Sequence, residues 1–455
     1  MRVVVVGAGE VGSYVAERLA NEGHEVSVVE HDEATADAVS RRIDAHVVIG
    51  NGALPSVMEA AGCTKADLVV AVTNSDESNL LSAFVAKRLG AKRTVVRIES
   101  AELRGRDAED LRSALGVDEA VDPDEEVARD IGELIEHPGA REVEVLAGGE
   151  VVVLGAVLKE NSPLVGRSLK EIADEYEPEW EFLFGAITRG RDTVIPRGDY
   201  ELRAGDMVRV LCRRQARREI SRLLGLRAGQ MQRVVLLGGG RTAELVAERL
   251  SPKGVSDRLL RRREIAIVER DPQRAAYLEH RVEAEVFCGD IADTDVLDQA
   301  EISRANIVVA LTGEDEANVL ACLYAKDAGA DETAAVVHRL TLARLLEKAG
   351  VDAVLSPRIA TANGVLRIVR GEGVAAVATF LEGEAEVLEF AVEPGSPADG
   401  KLVSELDLPR EVLIGAIVRD GKARIARGRS ELRARDHVVV VARPGTAGEV
   451  GRLFG

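Results

Sequence analysis

The sequence is poor in aromatic residues and in cysteine. Only 3% of the 455 residues are aromatic, with a single tryptophan, which leaves few side chains for stacking on bases or sugars. The four cysteines are widely spaced, with no C-x-x-C pair and no histidine at metal-binding spacing. We therefore predict no metal site and interpret all four as small buried thiols: Cys63, Cys212, Cys288 and Cys322.

Long apolar runs and an excess of positive charge are also lacking. No apolar run approaches the roughly 18 residues needed to span a bilayer, and the first residues do not have the pattern of a signal peptide. The net charge is -19 at pH 7, and a phosphate backbone binds basic surfaces instead. We therefore expect a cytoplasmic protein that does not act on nucleic acid.

The sequence contains no recognisable catalytic constellation. Its seven histidines form no acid–base arrangement, and Tyr-x-x-x-Lys, G-x-S-x-G and His-Glu-x-x-His motifs are missing. A nicotinamide-dependent oxidoreductase needs a proton donor near its substrate as well as a cofactor site. We predict no catalytic residues and interpret any bound nucleotide as a signal.

An internal duplication is the main feature that the sequence does contain. MRVVVVGAGEVGSYVAERL at the start matches MQRVVLLGGGRTAELVAERL, and ADLVVAVTNSDESNLLSAFVAKRLGA matches ANIVVALTGEDEANVLACLYAKDAGA. A second kind of unit also occurs twice, because the stretch GAITRGRDTVIPRGDYELRAGDMVRVL from Gly185 matches GAIVRDGKARIARGRSELRARDHVVVV from Gly415. The units therefore follow the order A-B-A′-B′.

The two kinds of unit predict different folds. Each A unit alternates short apolar runs with amphipathic stretches, which is typical of βαβ units. Each B unit has short alternating strands punctuated by Gly and Pro. The predicted class is α/β, with two Rossmann-like, doubly wound parallel-sheet domains, each followed by a small α+β domain. The predicted ranges are 1–118 and 231–352 for the Rossmann-like domains, 119–141 and 353–372 for crossover helices with linkers, and 142–226 and 373–455 for the small domains.

The first A unit carries a dinucleotide-binding pattern. Gly7, Gly9 and Gly12 follow a valine-rich strand and open a helix, and Glu30 ends the next predicted strand. The first glycine makes the turn, the second lets a pyrophosphate approach, and the third lets helix and strand pack closely. The helix N-terminus offers N–H groups to phosphates, and Glu30 can accept hydrogen bonds from ribose hydroxyls. The alternative is a structural turn that binds nothing.

The second A unit repeats this pattern with Gly238, Gly240 and Ala243, and with Glu269 as the acid. Alanine is permitted at the third position, because that position concerns packing. Gly239 and Arg241 alter the turn, so loss of binding in this copy is the alternative.

Residues after later strands are further candidate ligand contacts. Asn51 and Asp290 each follow a glycine at a strand end, and Thr73 and Thr312 follow the next strand in each copy. Ligands of open α/β sheets bind outside the carboxyl ends of the strands. A ligand role is one interpretation, and a role at the start of the next helix is the other.

The A-B-A′-B′ order and several stretches resemble a known family, the TrkA family of Trk-type potassium uptake proteins, over essentially all 455 residues. The stretches are VVVVGAGEVG with Glu30, GNGALPSVMEAAG, CGDIADTDVLDQAEI, VTNSDESNLL and LTGEDEANVL. The resemblance implies a regulatory subunit with tandem regulator-of-K⁺-conductance (RCK) domains, peripheral on the inner face of the cell membrane. It also implies a ring of such domains docked on a separate integral-membrane, TrkH-like K⁺ transporter subunit. The implied ligands are NAD⁺ or NADH and adenine nucleotides such as ATP and ADP.

The resemblance also assigns cofactor-binding residues in each copy. In the first copy they are Gly7, Ala8, Gly9, Glu10, Val11 and Gly12, with Glu30 as the ribose-binding acid. In the second copy they are Gly238, Gly239, Gly240, Arg241, Thr242 and Ala243, with Glu269 as the acid. Asn51 departs from the commoner Gly-Asp at its position.

The stretches DEEVARDIGELIEHPG and IATANGVLRIVRGEG follow Pro123 and Pro357 at equivalent places. They are candidates for contacts between ring subunits, or for packing on their own domains. Two other functions stay open at this point, an NAD-dependent oxidoreductase of duplicated form and a stand-alone nucleotide or redox sensor with a soluble target.

Overall fold

A computed structural model describes most of the chain. The described residues are 1–21, 23–104, 108–176, 181–190, 192–226, 233–251, 263–339, 345–346, 349–369, 374–379, 385–443 and 446–455. They form four sheets that alternate along the chain between parallel and antiparallel, which confirms the predicted fold class. The predicted boundaries at residues 231, 372 and 373 lie outside the described residues.

The first parallel sheet has the doubly wound order β3-β2-β1-β4-β5-β6. Its strands are β1 (Arg2–Val6), β2 (Glu25–Glu30), β3 (His46–Ile49), β4 (Leu68–Ala71), β5 (Arg93–Arg97) and β6 (Glu119–Val121). Its helices are α1 (Glu10–Asn21), α2 (Glu33–Ser40), α3 (Pro55–Ala60), α4 (Asp76–Leu89), α5 (Ala101–Arg104) and α6 (Glu109–Ala114). The valines of β1 are at most 3% exposed, because helices cover both faces of the sheet. The strand order reverses between β1 and β4, and the crevice there is where such folds bind ligands.

A crossover helix and a small domain follow. The crossover helix is α7 (Pro123–Glu136). The antiparallel sheet has the order β10-β9-β11-β8-β7. Its elements are β7 (Glu142–Leu146), β8 (Val151–Val157), α8 (Leu169–Tyr176), β9 (Phe182–Arg189), β10 (Asp192–Val194), β11 (Met207–Arg213) and α9 (Arg217–Leu223).

The second half repeats this arrangement. Its parallel sheet has the order β14-β13-β12-β15-β16-β17, and its antiparallel sheet has the order β18-β19-β22-β20-β21. The parallel strands are β12 (Arg233–Leu237), β13 (Glu264–Glu269), β14 (Glu285–Cys288), β15 (Ile307–Ala310), β16 (Glu332–Val336) and β17 (Ala353–Leu355). The helices are α10 (Arg241–Leu250), α11 (Pro272–Arg281), α12 (Thr294–Gln299), α13 (Asp315–Ala328) and the crossover helix α14 (Pro357–Val369). The small domain has β18 (Val374–Thr379), β19 (Glu386–Ala391), β20 (Val412–Arg419), β21 (Lys422–Ile425), β22 (His437–Ala442) and α15 (Ala447–Phe454).

Each crossover helix packs on the parallel-sheet domain of the other half. Helix α7 contributes Val127 and Ile131 to a core with Leu245 of α10, and α14 contributes Val365 to a core with Val15 of α1. The two crossover helices also contact each other. The sequence shows that these helices have apolar faces but not what covers them. Packing on the helix's own domain, one of our two expectations, holds for Ala360 of α14, which lies in the core of the second parallel-sheet domain. Most of the other buried apolar residues of α14 pack on the first domain.

The two small domains share one core, in which the sheets lie face to face. Leu211 of β11 packs among residues of both domains, and Gly415 of β20 leaves room for it. A Cβ at Gly415 would lie 2.5 Å from Leu211 Cδ2. At Gly185 of β9, a Cβ would lie 2.9 Å from Val441 Cγ2. These two glycines, one from each copy of the repeated unit, allow the sheets to approach closely.

The expectation that all four cysteines are buried is wrong for Cys288, which is exposed at the end of the edge strand β14. Burial raises the pKa of the Cys212 and Cys322 thiols to about 12. Within the described parts of the chain, no helix combines the length and the apolar character needed to cross a membrane.

Candidate functional site

The first glycine turn connects β1 to α1 at the crevice between β1 and β4. Gly7 has a φ of +94°, and a Cβ there would lie 2.9 Å from Thr73 Cγ2. A Cβ at Gly12 would lie only 1.9 Å from the carbonyl oxygen of Gly7. At Gly9, by contrast, no described atom lies within 4 Å of the Cβ position. Gly7 and Gly12 are therefore required by packing, whereas Gly9 leaves open space in which a phosphate group can approach the backbone.

Glu30 lies at the end of β2, and hydrogen bonds hold its carboxylate beside this turn. Oε2 accepts from the Ala8 N–H at 2.6 Å, and Oε1 accepts from the N–H groups of His31 and Asp32 at 2.8 and 2.9 Å. The side chain is 6% exposed. Its position at the tip of β2, beside the glycine turn, is the one from which an acid contacts a ribose hydroxyl.

A cavity of about 510 Å³ lies over the turn. Five of the predicted first-copy site residues line it: Gly7, Gly9, Glu30, Asn51 and Thr73. Ala8, Glu10, Val11 and Gly12 belong to the turn and the first residues of α1 but are not lining residues. The sequence analysis did not single out several others: His31, Asp32, Thr35, Gly50, Gly52, Asn74, Ser75, Ser78 and Ser82.

A slightly larger cavity, about 560 Å³, lies at the opposite edge of the same sheet. It is lined by residues such as Arg2, His24 and His46 at the amino ends of β1, β2 and β3. The smaller cavity is the better candidate, because the glycine turn and the N-terminus of α1 are both at the carboxyl edge.

Thr73 is fixed by Asn79, a fully buried residue on α4. The Thr73 N–H and hydroxyl both donate to Asn79 Oδ1, at 2.8 and 2.7 Å, and Asn79 Nδ2 donates to the carbonyl oxygens of Thr73 and Arg97. Thr312 and Asn318 repeat this arrangement, with corresponding distances of 3.0 and 2.6 Å. The repeated Thr-x₅-Asn spacing is the sequence signal for this support of the crevice.

Asn51 and Asp290 form turns instead of capping helices. Asn51 Oδ1 accepts from the N–H of Ala53, and Asp290 Oδ1 accepts from the N–H of Ala292, both at 2.9 Å. The N-cap residues of the next helices are Leu54 and Asp293. The capping interpretation is therefore wrong for this pair. The Asn51 carboxamide and the Asp290 carboxylate each accept a hydrogen bond from the backbone N–H two residues further along the chain.

The second glycine turn has the same backbone plan. Gly238 has a φ of +112°, and a Cβ there would lie 3.0 Å from Thr312 Cγ2. At Gly240, as at Gly9, no described residue beyond its chain neighbours has an atom within 4 Å of the Cβ position. Glu269 Oε2 accepts from the Gly239 N–H at 2.7 Å, as Glu30 does from Ala8. Ala243 is fully buried at the third position of the motif.

The extra glycine of this turn compensates for a larger neighbour. A Cβ at Gly239 would lie 2.7 Å from Leu278 Cδ1 on α11 and 2.8 Å from the Cβ of Glu269. In the first copy, Ala8 occupies the equivalent position, and the equivalent of Leu278 is the smaller Val39. Gly239 therefore reflects crowding of the turn by Leu278 and Glu269, whereas the space at Gly240 stays open.

Charged side chains brace the second turn. Arg274 of α11 donates to the carbonyl oxygens of Gly239 and Gly240 at 2.8 and 3.3 Å, and to Glu244 Oε2 at 2.7 Å. Burial alone would raise the pKa of Glu244, but hydrogen bonds from Arg274 and Arg281 and the nearby Arg241 hold it below its ordinary value. Sequence inspection missed this cluster, because Ser13 and Thr35 stand at the positions of Glu244 and Arg274 in the first copy. The helix that begins at the second turn is thus tied to its neighbour by ion pairs.

Both kinds of unit match domains of a known protein family. The TrkA-N domain matches residues 3–123 and 234–357, and the TrkA-C domain matches residues 153–225 and 387–455. These matches cover most of the chain and reproduce its duplication.

Similar proteins extend over the full length. A Trk system potassium uptake protein TrkA homolog from Archaeoglobus fulgidus is 33% identical over 455 residues, covering 100% of both chains. The Trk system potassium uptake protein TrkA of Halomonas elongata is 31% identical over 97% of this chain and 95% of its own. Among solved structures, the GsuK RCK domain has a TM-score of 0.59 at 17% identity, covering 97% of this chain and 92% of that chain. The GsuK channel bound to NAD has a TM-score of 0.58, covering 97% and 76%. This chain belongs to the TrkA family of Trk system potassium uptake proteins.

Proposed function

We propose that the protein is the regulatory subunit of a Trk-type K⁺ uptake system and that it binds adenine nucleotides at its two glycine turns. The observation that carries this proposal is the open space at Gly9 and Gly240. Each of these glycines lies between a glycine with positive φ and the N-terminus of a helix, and a glutamate lies beside each turn, buried in the first copy and half-buried in the second. NAD⁺ or NADH is the first candidate ligand, with ATP and ADP as further ligands. The GsuK channel bound to NAD, which shares the fold, supports this choice.

The ligand contacts that we propose are those of a dinucleotide site. In each copy the pyrophosphate lies on the backbone N–H groups at the start of α1 or α10, and Glu30 or Glu269 accepts hydrogen bonds from the adenosine ribose. Asn51, Thr73, Asp290 and Thr312 border the crevice. A carboxylate at the ribose position disfavours a 2′-phosphate, so the unphosphorylated dinucleotide is the expected ligand.

The fold offers a route from these sites to the rest of the molecule. Helix α1 begins at the first turn, and each crossover helix packs on the glycine-turn helix of the other half. Nucleotide binding that shifts α1 or α10 would therefore shift both halves together. We propose that the protein lies on the cytoplasmic face of the membrane, assembles into a ring, and transmits this shift to a TrkH-like K⁺-conducting subunit.

Calorimetric titration of the purified protein with NADH, NAD⁺, ATP and ADP tests the nucleotide sites. The Gly9→Asp and Gly240→Asp variants place a carboxylate where each phosphate binds, at positions with room for a side chain. We expect each variant to lose the binding heat of its own site and to keep the binding heat of the other site. Lack of binding at millimolar nucleotide would overturn the proposal. K⁺ uptake in cells expressing the transporter subunit with these variants then tests the regulatory role.

A further inference from the structure

The two crossover helices present opposite charges to the glycine-turn helices. In the second half, the Thr242 hydroxyl of α10 donates to Asp124 Oδ1 of α7 at 2.6 Å. In the first half, the guanidinium carbon of Arg358 on α14 lies 5.8 Å from the centre of the Tyr14 ring on α1. Asp124 and Arg358 are equivalent residues of the duplication, each the second residue of its helix. The two equivalent positions therefore place a carboxylate against α10 and a guanidinium against α1.

The negative charge of Asp124 is only partly balanced by its neighbours. Arg104 lies 2.5 Å from Asp122 and 3.6 Å from Asp124, so one guanidinium serves two carboxylates. Arg241, at the start of α10, lies 3.7 Å from Glu244. At the contact between α7 and the second glycine-turn helix, two carboxylates thus share one guanidinium.

Arg358, by contrast, has a hydrogen-bond donor without an acceptor. Its Nε is buried and has no hydrogen-bond acceptor in the described parts of the chain. Val11, which lacks a hydroxyl, stands in the first copy where Thr242 stands in the second. A buried N–H without an acceptor is costly, and an anion within reach of the Arg358 guanidinium would lower that cost.

We propose that these two residues set the phosphate preference of the two sites. Asp124 disfavours a triphosphate at the second glycine turn, and Arg358 favours a triphosphate at the first. This inference rests on the proposed function, since it requires nucleotides to bind with their phosphates on the N-termini of α1 and α10. ATP carries about one more negative charge than ADP. At an effective dielectric constant of about 20, two unit charges about 10 Å apart change an affinity ratio on the order of tenfold.

For the second site, ATP and ADP are titrated into the full chain carrying Gly9→Asp. We expect Asp124→Asn to raise the affinity for ATP relative to ADP on the order of tenfold. Thr242→Val removes the hydrogen bond but keeps the carboxylate, so it should produce no such rise. Glu125→Gln removes the same charge from an exposed neighbour and is the matched control.

For the first site, the Gly240→Asp background isolates binding, and Arg358→Gln should lower the ATP-to-ADP affinity ratio by a similar factor. Thermal unfolding checks that each variant is folded, and Asp124→Ser and Arg358→Met replace any variant that is not. Unchanged ratios in folded variants that still bind nucleotide would overturn the roles of Asp124 and Arg358. Failure of the unsubstituted chain to bind either nucleotide would instead overturn the nucleotide sites themselves.

Discussion

The Arg18 guanidinium forms a buried ion pair with the Glu386 carboxylate, which joins α1 of the first parallel-sheet domain to β19 of the second small domain. The two residues are 8% and 2% exposed. Arg18 also donates to the Tyr14 hydroxyl at 3.1 Å. Because α1 begins at the first glycine turn, this pair connects the proposed nucleotide site to the small domain at the other end of the sequence.

Replacing Glu386 with Gln is expected to destabilise the protein by about 3–5 kcal/mol, since it leaves the Arg18 charge buried without its partner. An Arg18→Met, Glu386→Leu double variant should recover much of this loss. The chain has several domains, so the midpoint of the first unfolding transition in urea is the quantity to compare. Glu17→Gln, which disrupts a half-exposed pair with Arg42, should cost less than about 1 kcal/mol. Equal effects of the two substitutions would contradict a structural role for the buried pair.

The glycines of the first turn are predicted to differ in what an added methyl group does. Gly12→Ala should destabilise the first domain by at least about 1–3 kcal/mol, because the Cβ would lie 1.9 Å from the Gly7 carbonyl oxygen. Gly9→Ala should leave the unfolding midpoint nearly unchanged and weaken nucleotide binding. Chemical unfolding and calorimetry on the same preparations separate these effects. A Gly9→Ala protein that binds as tightly as the unsubstituted chain would contradict phosphate approach at Gly9.

Local patterns were sufficient to predict the strands, the glycine turns and the acids beside them. The reason is that Gly7, Gly12 and Glu30 act through residues within one βαβ unit, whose geometry follows from chain direction and strand twist. The exposure of Cys288 was not predicted, because burial at the end of an edge strand depends on what packs over it.

Contacts between units lay beyond sequence reasoning. The periodicity of α7 marks Val127 and Ile131 as buried, but the surface that covers them is Leu245 of the other half. The hydrogen bond of Thr242 to Asp124 likewise joins residues 118 positions apart. One sequence shows which faces are apolar, whereas the partner of each face depends on tertiary packing.

The junction of α7 with β7 is predicted to make stability depend on pH. Burial, followed by the negative charge of Asp130, raises the pKa of Glu144 to about 8, and burial raises the pKa of Asp130 to about 6. In the unfolded chain both groups titrate near pH 4. The folded protein therefore binds more protons than the unfolded chain between about pH 4.5 and 8, and stability should fall as pH rises through this range.

Unfolding midpoints measured from pH 5 to 9 test this expectation. Each group contributes a slope of up to about 1.4 kcal/mol per pH unit within its own window. Glu144→Gln should flatten the profile between about pH 6 and 8, whereas Glu125→Gln, which removes an exposed acid from α7, should leave it unchanged. A profile that Glu144→Gln does not alter would show that this carboxyl group titrates normally in the folded protein.

Gly239 and Leu278 are predicted to be energetically coupled. Gly239→Ala alone should destabilise the second domain by about 1–3 kcal/mol, because its Cβ would lie 2.7 Å from Leu278 Cδ1 and 2.8 Å from the Cβ of Glu269. Leu278→Val alone removes one methylene group and should cost about 1 kcal/mol. The double variant recreates the Ala8 and Val39 combination of the first copy, so its loss should be smaller than that of Gly239→Ala. A urea double-mutant cycle measures the coupling, and additive losses would mean that the extra glycine has another cause.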